Sequence, residues 1–214
     1  MNAPWRLFAA ALHFFTRGSV PPGAATSLVP LAGILLGSVG AGVYWLGAQL
    51  WPTSIAVVLA MLATVALAMP DAPAPTGGLL RVFFVLIKYN ALMALSSARA
   101  PIALPEHVTL GLIMVAGQAA SRALAVSAMA SKLPAALRTT TPDLTVALIL
   151  GLAPAALLGI PGLMGLAAAI AMRLAQSANL LREAALPIAE RLDLGQQLTE
   201  ISFYLGALAA WRYV

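Results

Sequence analysis

Residues 18–70 read GSVPPGAATSLVPLAGILLGSVGAGVYWLGAQLWPTSIAVVLAMLATVALAMP. These 53 consecutive positions hold no Asp, Glu, Lys, Arg or His, and the first acid after them is Asp71. A water-soluble fold must solvate its surface and does not leave so long a stretch uncharged. One crossing of a bilayer needs ~20 apolar residues. The run is long enough for two, and Trp51-Pro52 divides it as a tight turn. It therefore predicts spans near 28–50 and 54–69, with Trp45 and Trp51 at the membrane interface. Gly33 and Gly37 form a GxxxG with Gly40 three residues on, a spacing that lets helices approach closely, so plain helix packing accounts for them.

The rest of the chain has the same character. Hydrophobic residues make up 61% and charged residues 9% of the 214 positions, and mean hydropathy is +0.93. Average soluble domains have about 25% charged residues. The expected fold is an all-α, polytopic helical membrane bundle of six to seven spans in one domain, residues 1–214. After the Pro-rich loop PDAPAPTGG at 70–78, the remaining spans fall near 79–97, 107–131, 144–159, 163–181 and 198–211. Residues 3–17 read as an amphipathic helix lying in the interface and retained in the mature chain, since Arg17 follows the apolar stretch and a span follows at once.

Charge sets the orientation. With the N-terminus inside, inner loops and ends carry Arg6, Arg17, Lys132, Arg138, Arg182 and Arg191, while the outer side carries Arg99 and Arg212. This bias predicts a cytoplasmic N-terminus in a bacterial inner membrane, with the lipid bilayer as first partner. The net charge of +5 is spread over segment ends with no basic run and interleaved aromatics, which argues against nucleic acid. The absence of cysteine excludes disulfides, thiolate metal sites and cysteine nucleophiles, and His13 and His107 have no zinc spacing.

Several residues are costly where they stand. Lys88 lies near the centre of the third span, and Arg122 lies mid-span in the fourth, one turn after Gln118. A cation at the bilayer centre costs ~2.5–3.5 kcal/mol on insertion scales, so it faces a polar cavity or a partner. The bland alternatives are a snorkelling Lys88 and an Arg122 that clamps backbone carbonyls. Gln176, Asn179 and Glu183 share one helical face. Asp193, Gln197 and Glu200 share another if that stretch is helical, with Glu190 one turn earlier. Paired acids at a membrane surface can hold Mg²⁺ through oxygen ligands while phosphates complete its shell; the alternative is a solvated loop with ordinary ion pairs. Glu200, at the start of an apolar span, is the acid whose burial most needs a function.

Five segments together resemble the cobalamin synthase family, the adenosylcobinamide-GDP ribazoletransferases of bacterial membranes. His13-Phe14-Phe15-Thr16-Arg17-Gly18-Ser19-Val20-Pro21 is similar to its opening "QFLTRIPVP", and the segment from Val29 to Gly37 is similar to "FPLVGLLLG". Lys88-Tyr89-Asn90-Ala91-Leu92 resembles its lysine-bearing helix, Ser121-Arg122 its "SR" pair, and the segment from Gln196 to Gly206 its "QQLTEIAFYLG". The resemblance runs in order along nearly the whole chain. It departs where that family carries H-x-D-G-L-A-D-x-x-D-G, because the loop from Met69 to Gly78 holds Asp71 alone. The family's "TGD" is Ile188-Ala189-Glu190. By this reading the chain is a shortened member.

The resemblance implies a Mg²⁺-dependent transfer that joins α-ribazole to adenosylcobinamide-GDP and releases GMP. The roles that follow are Glu200 and Arg122 as catalytic residues and Arg17, Lys88, Gln197 and Thr16 as substrate-binding residues. Asp71, Glu190 and Asp193 would be the metal ligands. A homologue that keeps the scaffold and binds without turnover is the alternative, and a small transporter a weaker one. A homo-oligomer stays open.

Overall fold

The computed structural model describes residues 27–67, 78–97, 105–132, 140–179 and 188–211. Among them are seven α-helices and no strand. They are α1 (Val29–Leu50), α2 (Thr53–Leu67), α3 (Gly78–Ser97), α4 (Glu106–Lys132), α5 (Thr141–Ala156), α6 (Ile160–Asn179) and α7 (Ile188–Trp211). The interfacial helix expected at 3–17, with Thr16 and Arg17, lies outside the described residues, as does Asp71 in the loop after α2.

The helix ends follow local chemistry. Pro30 sits in the first turn of α1, where its missing N–H costs nothing. Trp51 closes α1 in extended conformation, and Pro52 bars the helix from continuing. Thr140 caps α5, its hydroxyl accepting from the Asp143 N–H. Between α5 and α6 the chain reverses through Gly159 at φ 62°, a left-handed position suited to glycine. The largest departure from the expected spans is at the end of the chain. The polar segment reaching Gln197 was expected to precede a short span at 198–211, yet α7 runs unbroken from Ile188 to Trp211.

α4 is the axis of the bundle. Its apolar stretch is 83% buried, against 22% for α3, and α1, α5, α7 and α6 all pack on it. The GxxxG of α1 does what its spacing predicts. A side chain at Gly33 would meet the Gln118 carbonyl oxygen at 2.6 Å, and one at Gly37 the Cα of Val115 at 2.6 Å. α3 instead turns Val82, Phe83, Leu86 and other large apolar side chains outward. That is a costly surface in water and an ordinary one against lipid tails. Four helices (α1, α3, α4 and α6) are long and apolar enough to cross a membrane, and α2 and α5 are shorter apolar helices. The fold is an all-helical membrane bundle, as its composition requires.

Candidate functional site

α3 and α7 are joined by two ion pairs. Arg81 donates to Asp193 over 3.3 Å, and Lys88 donates to Glu200 over 2.7 Å. Each pair links residues 112 apart in sequence, and the two pairs are seven residues apart on both helices. The helices therefore run parallel in one register, with their rungs about 10 Å apart at 1.5 Å rise per residue. The rungs differ in environment. The side chains of Arg81 and Asp193 are 42% and 41% exposed, whereas those of Lys88 and Glu200 are 12% and 3% exposed.

The inner rung is the hub of a wider network. Lys88 Nζ also donates to Gln197 Oε1, one turn before Glu200. Glu200 Oε1 accepts from Gln118 Nε2 at 2.7 Å and from the Tyr204 hydroxyl at 3.0 Å. The Gln118 side-chain oxygen in turn accepts from Arg122 Nη1, which also donates to the Gln118 backbone carbonyl at 3.1 Å. Gln118, Arg122, Glu200 and Tyr204 are all buried. Close packing fixes them. Gly33 leaves room for the Arg122 stem, whose Cδ would lie 2.8 Å from a side chain there. Gly117 admits the Tyr204 ring, which would lie 2.5 Å from one.

These side chains line one cavity of about 240 Å³ between α2, α3, α4 and α7. Met61, Phe84, Leu92 and Met114 give it apolar walls. Its charged lining is three cations (Arg81, Lys88, Arg122) and two carboxylates (Asp193, Glu200). Such a chamber suits a phosphate-bearing ligand, because guanidinium and ammonium donors neutralise and orient phosphate oxygens.

The structure thus brings Lys88, Arg122, Asp193, Gln197 and Glu200 to one cavity. Glu190 is on α7 four residues before Leu194, with its side chain outside the described residues. Gln176 does not reach the cavity; it donates to the Gly195 carbonyl at 3.3 Å and ties α6 to α7. Arg173 also donates to a backbone carbonyl, Leu124 O at 3.2 Å, and ties α6 to α4. Arg122 clamps a backbone carbonyl, that of Gln118 one turn earlier, and also lines the cavity, so the bland reading and the functional one both describe it.

Arg81, Gln118 and Tyr204 join the network or line its rim without having been assigned a role from sequence. Arg81 lies seven residues before Lys88, Gln118 four before Arg122 and Tyr204 four after Glu200. Each stands on the helical face of a residue already singled out, and that spacing was the available signal.

Mg²⁺ fits the described lining poorly. The cation demands near-octahedral oxygen ligation and is bound through free carboxylates. Asp193 and Glu200 stand seven residues apart on α7, about 10 Å along the helix, too far to share one ion, and Glu200 already accepts three donors. No group of three or more His, Cys, Asp or Glu is arranged to hold a metal ion among the described residues.

No family model matches the chain, and no solved structure does. A 69-residue stretch is 48% identical to the adenosylcobinamide-GDP ribazoletransferase of Leptothrix cholodnii, covering 28% of this chain and 26% of that protein. The matched stretch spans about a quarter of the length of that curated relative, a narrower likeness than the whole-chain resemblance expected from the motifs.

Proposed function

We propose that the chain acts in cobalamin biosynthesis, joining α-ribazole to adenosylcobinamide-GDP at the α3–α4–α7 cavity with release of GMP. The observation that carries this reading is the convergence of Arg81, Lys88 and Arg122 on one chamber beside the buried Glu200. The partial likeness to an adenosylcobinamide-GDP ribazoletransferase supports the substrate class.

At about 240 Å³ the chamber is smaller than the ~300–1,000 Å³ pockets that enclose drug-sized ligands. The diphosphate bridge enters it, and the corrinoid and the guanosine that flank the bridge stay outside. In the transfer, the α-ribazole hydroxyl oxygen bonds to the corrinoid-side phosphorus. The bond from that phosphorus to the bridging oxygen breaks, and GMP leaves with the oxygen and its electron pair. Arg122 and Lys88 neutralise charge on the phosphate oxygens, which is most of what such transfers require of a protein. Glu200 takes the hydroxyl proton and passes it to water. Its two oxygens offer about four acceptor positions, and three are filled, by Lys88, Gln118 and Tyr204. Gln197 holds the Lys88 ammonium in place, and Thr16 and Arg17 are assigned to substrate by the motif they stand in. Under the N-inside orientation α3 and α7 both begin at the cytoplasmic face of the inner membrane, so the Arg81–Asp193 end of the cavity opens there.

A second reading is a homologue that binds without turnover. The loop from Met69 to Gly78 favours it, since Asp71 is its sole acid. One experiment separates the two. The purified protein is incubated with adenosylcobinamide-GDP and α-ribazole, with and without Mg²⁺, and GMP is measured. Release above a blank, reduced strongly by Glu200→Ala, supports the transferase. Bound substrate with no GMP under either condition leaves the binding protein.

A further inference from the structure

The two rungs between α3 and α7 resemble each other in chemistry but differ in how firmly they are held. Glu200 is buried and accepts from three side chains on two neighbouring helices and its own. Asp193 is half-exposed, and Arg81 is its hydrogen-bond donor among the described residues, at 3.3 Å. Charge-assisted N–H···O bonds are typically about 2.7–2.9 Å, so this pair is loosely made. Exposed ion pairs of this kind contribute little, because water and salt compete for both partners. A buried pair with supporting hydrogen bonds does not open at comparable cost. The lining cation free to change partner is therefore Arg81, at the outer end of the cavity.

We propose that Asp193 is an internal stand-in for a phosphate group, and that a phosphate-bearing anion binds by taking its seat on Arg81. Guanidinium pairs with carboxylate and phosphate through the same fork of N–H donors, so the exchange needs no rearrangement of Arg81. The displaced Asp193 carboxylate moves to water, to which it is already half open. The inner rung, about 10 Å deeper along α3, stays closed and presents Lys88 and Arg122 to the rest of the anion. Arg81 is then a substrate-positioning residue and Asp193 its competitor. The inference deepens the reading above and rests on the same cavity being the substrate site. It concerns capture of the anion and not its turnover.

The test uses the full chain in nonionic detergent, titrated with inorganic pyrophosphate by calorimetry. Arg81→Gln should weaken binding roughly tenfold or more, the worth of a charge-assisted hydrogen bond. Asp193→Asn should tighten it roughly 1.4- to 5-fold, the worth of an exposed ion pair. In the double variant the gain from Asp193→Asn should vanish, because the two changes act through one contact. Asp193→Asn leaving affinity unchanged or lower overturns the proposal. So does a gain of equal size in the Arg81→Gln background, which would be a general charge effect. Reconstitution separates the sources of phosphate. A wild-type affinity for pyrophosphate that falls in phosphatidylglycerol vesicles relative to phosphatidylcholine, but not in Arg81→Gln, assigns the seat to a lipid headgroup. Equal affinity in both assigns it to a soluble diphosphate. The GMP assay is independent: pyrophosphate binding with this variant pattern and no GMP release sinks the transferase reading and leaves the exchange standing.

Discussion

Glu200→Ala is the substitution whose effect the structure fixes most narrowly. The carboxylate is 3% exposed and accepts from Lys88 at 2.7 Å, Gln118 at 2.7 Å and the Tyr204 hydroxyl at 3.0 Å. Removing one member of a buried ion pair costs about 3–5 kcal/mol, since the other charge stays buried without its partner. Each neutral donor stranded with it adds about 1–3 kcal/mol where water cannot reach. The cavity beside Lys88 offers some relief, because its side chain is 12% exposed and retains Gln197. The expected loss is therefore about 4 kcal/mol, nearer the single-charge figure than the full sum. Replacing both partners by apolar residues, Lys88→Met with Glu200→Leu, removes the buried charges together and should recover most of that loss. The assay is reversible unfolding of the purified chain in mixed detergent micelles, with wild type, Lys88→Met, Glu200→Leu and the double variant compared as a double-mutant cycle and Glu200→Ala measured beside them. A loss below about 1 kcal/mol for Glu200→Ala would place the carboxylate in water, since exposed pairs are worth no more than that. A double variant as unstable as the sum of the singles would show that the two side chains do not meet. Either result refutes the α3–α7 register.

Gly33→Ala should destabilise the chain by about 1–3 kcal/mol, the usual cost of overpacking. The new methyl would lie 2.6 Å from the Gln118 carbonyl oxygen and 2.8 Å from the Arg122 stem. The same unfolding assay reads this, and Gly42→Ala, which meets nothing within 4 Å, is the control. Tyr204→Phe removes one donor from Glu200 and should cost about 1.5–3 kcal/mol, as for a hydrogen bond to a charged group; a neutral result by unfolding would take the hydroxyl out of the network. The absence of native cysteine makes the chain a clean background for topology mapping. With the N-terminus inside, Thr53→Cys should react with an impermeant thiol reagent from outside intact cells and Thr141→Cys only after lysis, and the reverse pattern would invert the orientation.

Much of the bundle was legible from hydropathy, because a bilayer imposes one simple demand on each span. The uncharged run from Gly18 to Pro70 foretold α1, α2 and the turn between them, and GxxxG foretold the close contact of α1 with a neighbour. α7 was harder to read. Its first half is as polar as a loop, and Asp193 looks solvated until Arg81 stands opposite it, whereas Glu200 already stood out as an acid in an apolar span. That juxtaposition depends on a register between segments 112 residues apart, which side-chain packing sets and local pattern does not record. The Tyr204 ring against Gly117 and the Phe203 ring against Gly165 are two such contacts. Tyr204 went unnoticed for the same reason. In sequence it is one aromatic of an apolar helix, and only the fold puts its hydroxyl on Glu200.

The charge arrangement also bears on what kind of catalyst this cavity can be. Fixed cations that grip a diphosphate do so in the ground state as well as in the transition state, and such uniform binding lowers KM without raising kcat. Arg81, half-exposed and paired with Asp193, would belong to this class under the proposed exchange, since it would act on the anion as it arrives. Arg122 differs, being buried and held by Gln118, which is itself held by Glu200. A preorganised donor in a dry setting gains most where charge develops during reaction, because it need not reorient then. Under the proposed transfer the cavity would divide its cations into Arg81, which captures, and the inner pair Lys88 and Arg122, placed to assist chemistry. Glu200 is the hinge of that division, since through Lys88 on one side and Gln118 on the other it fixes both inner cations at once.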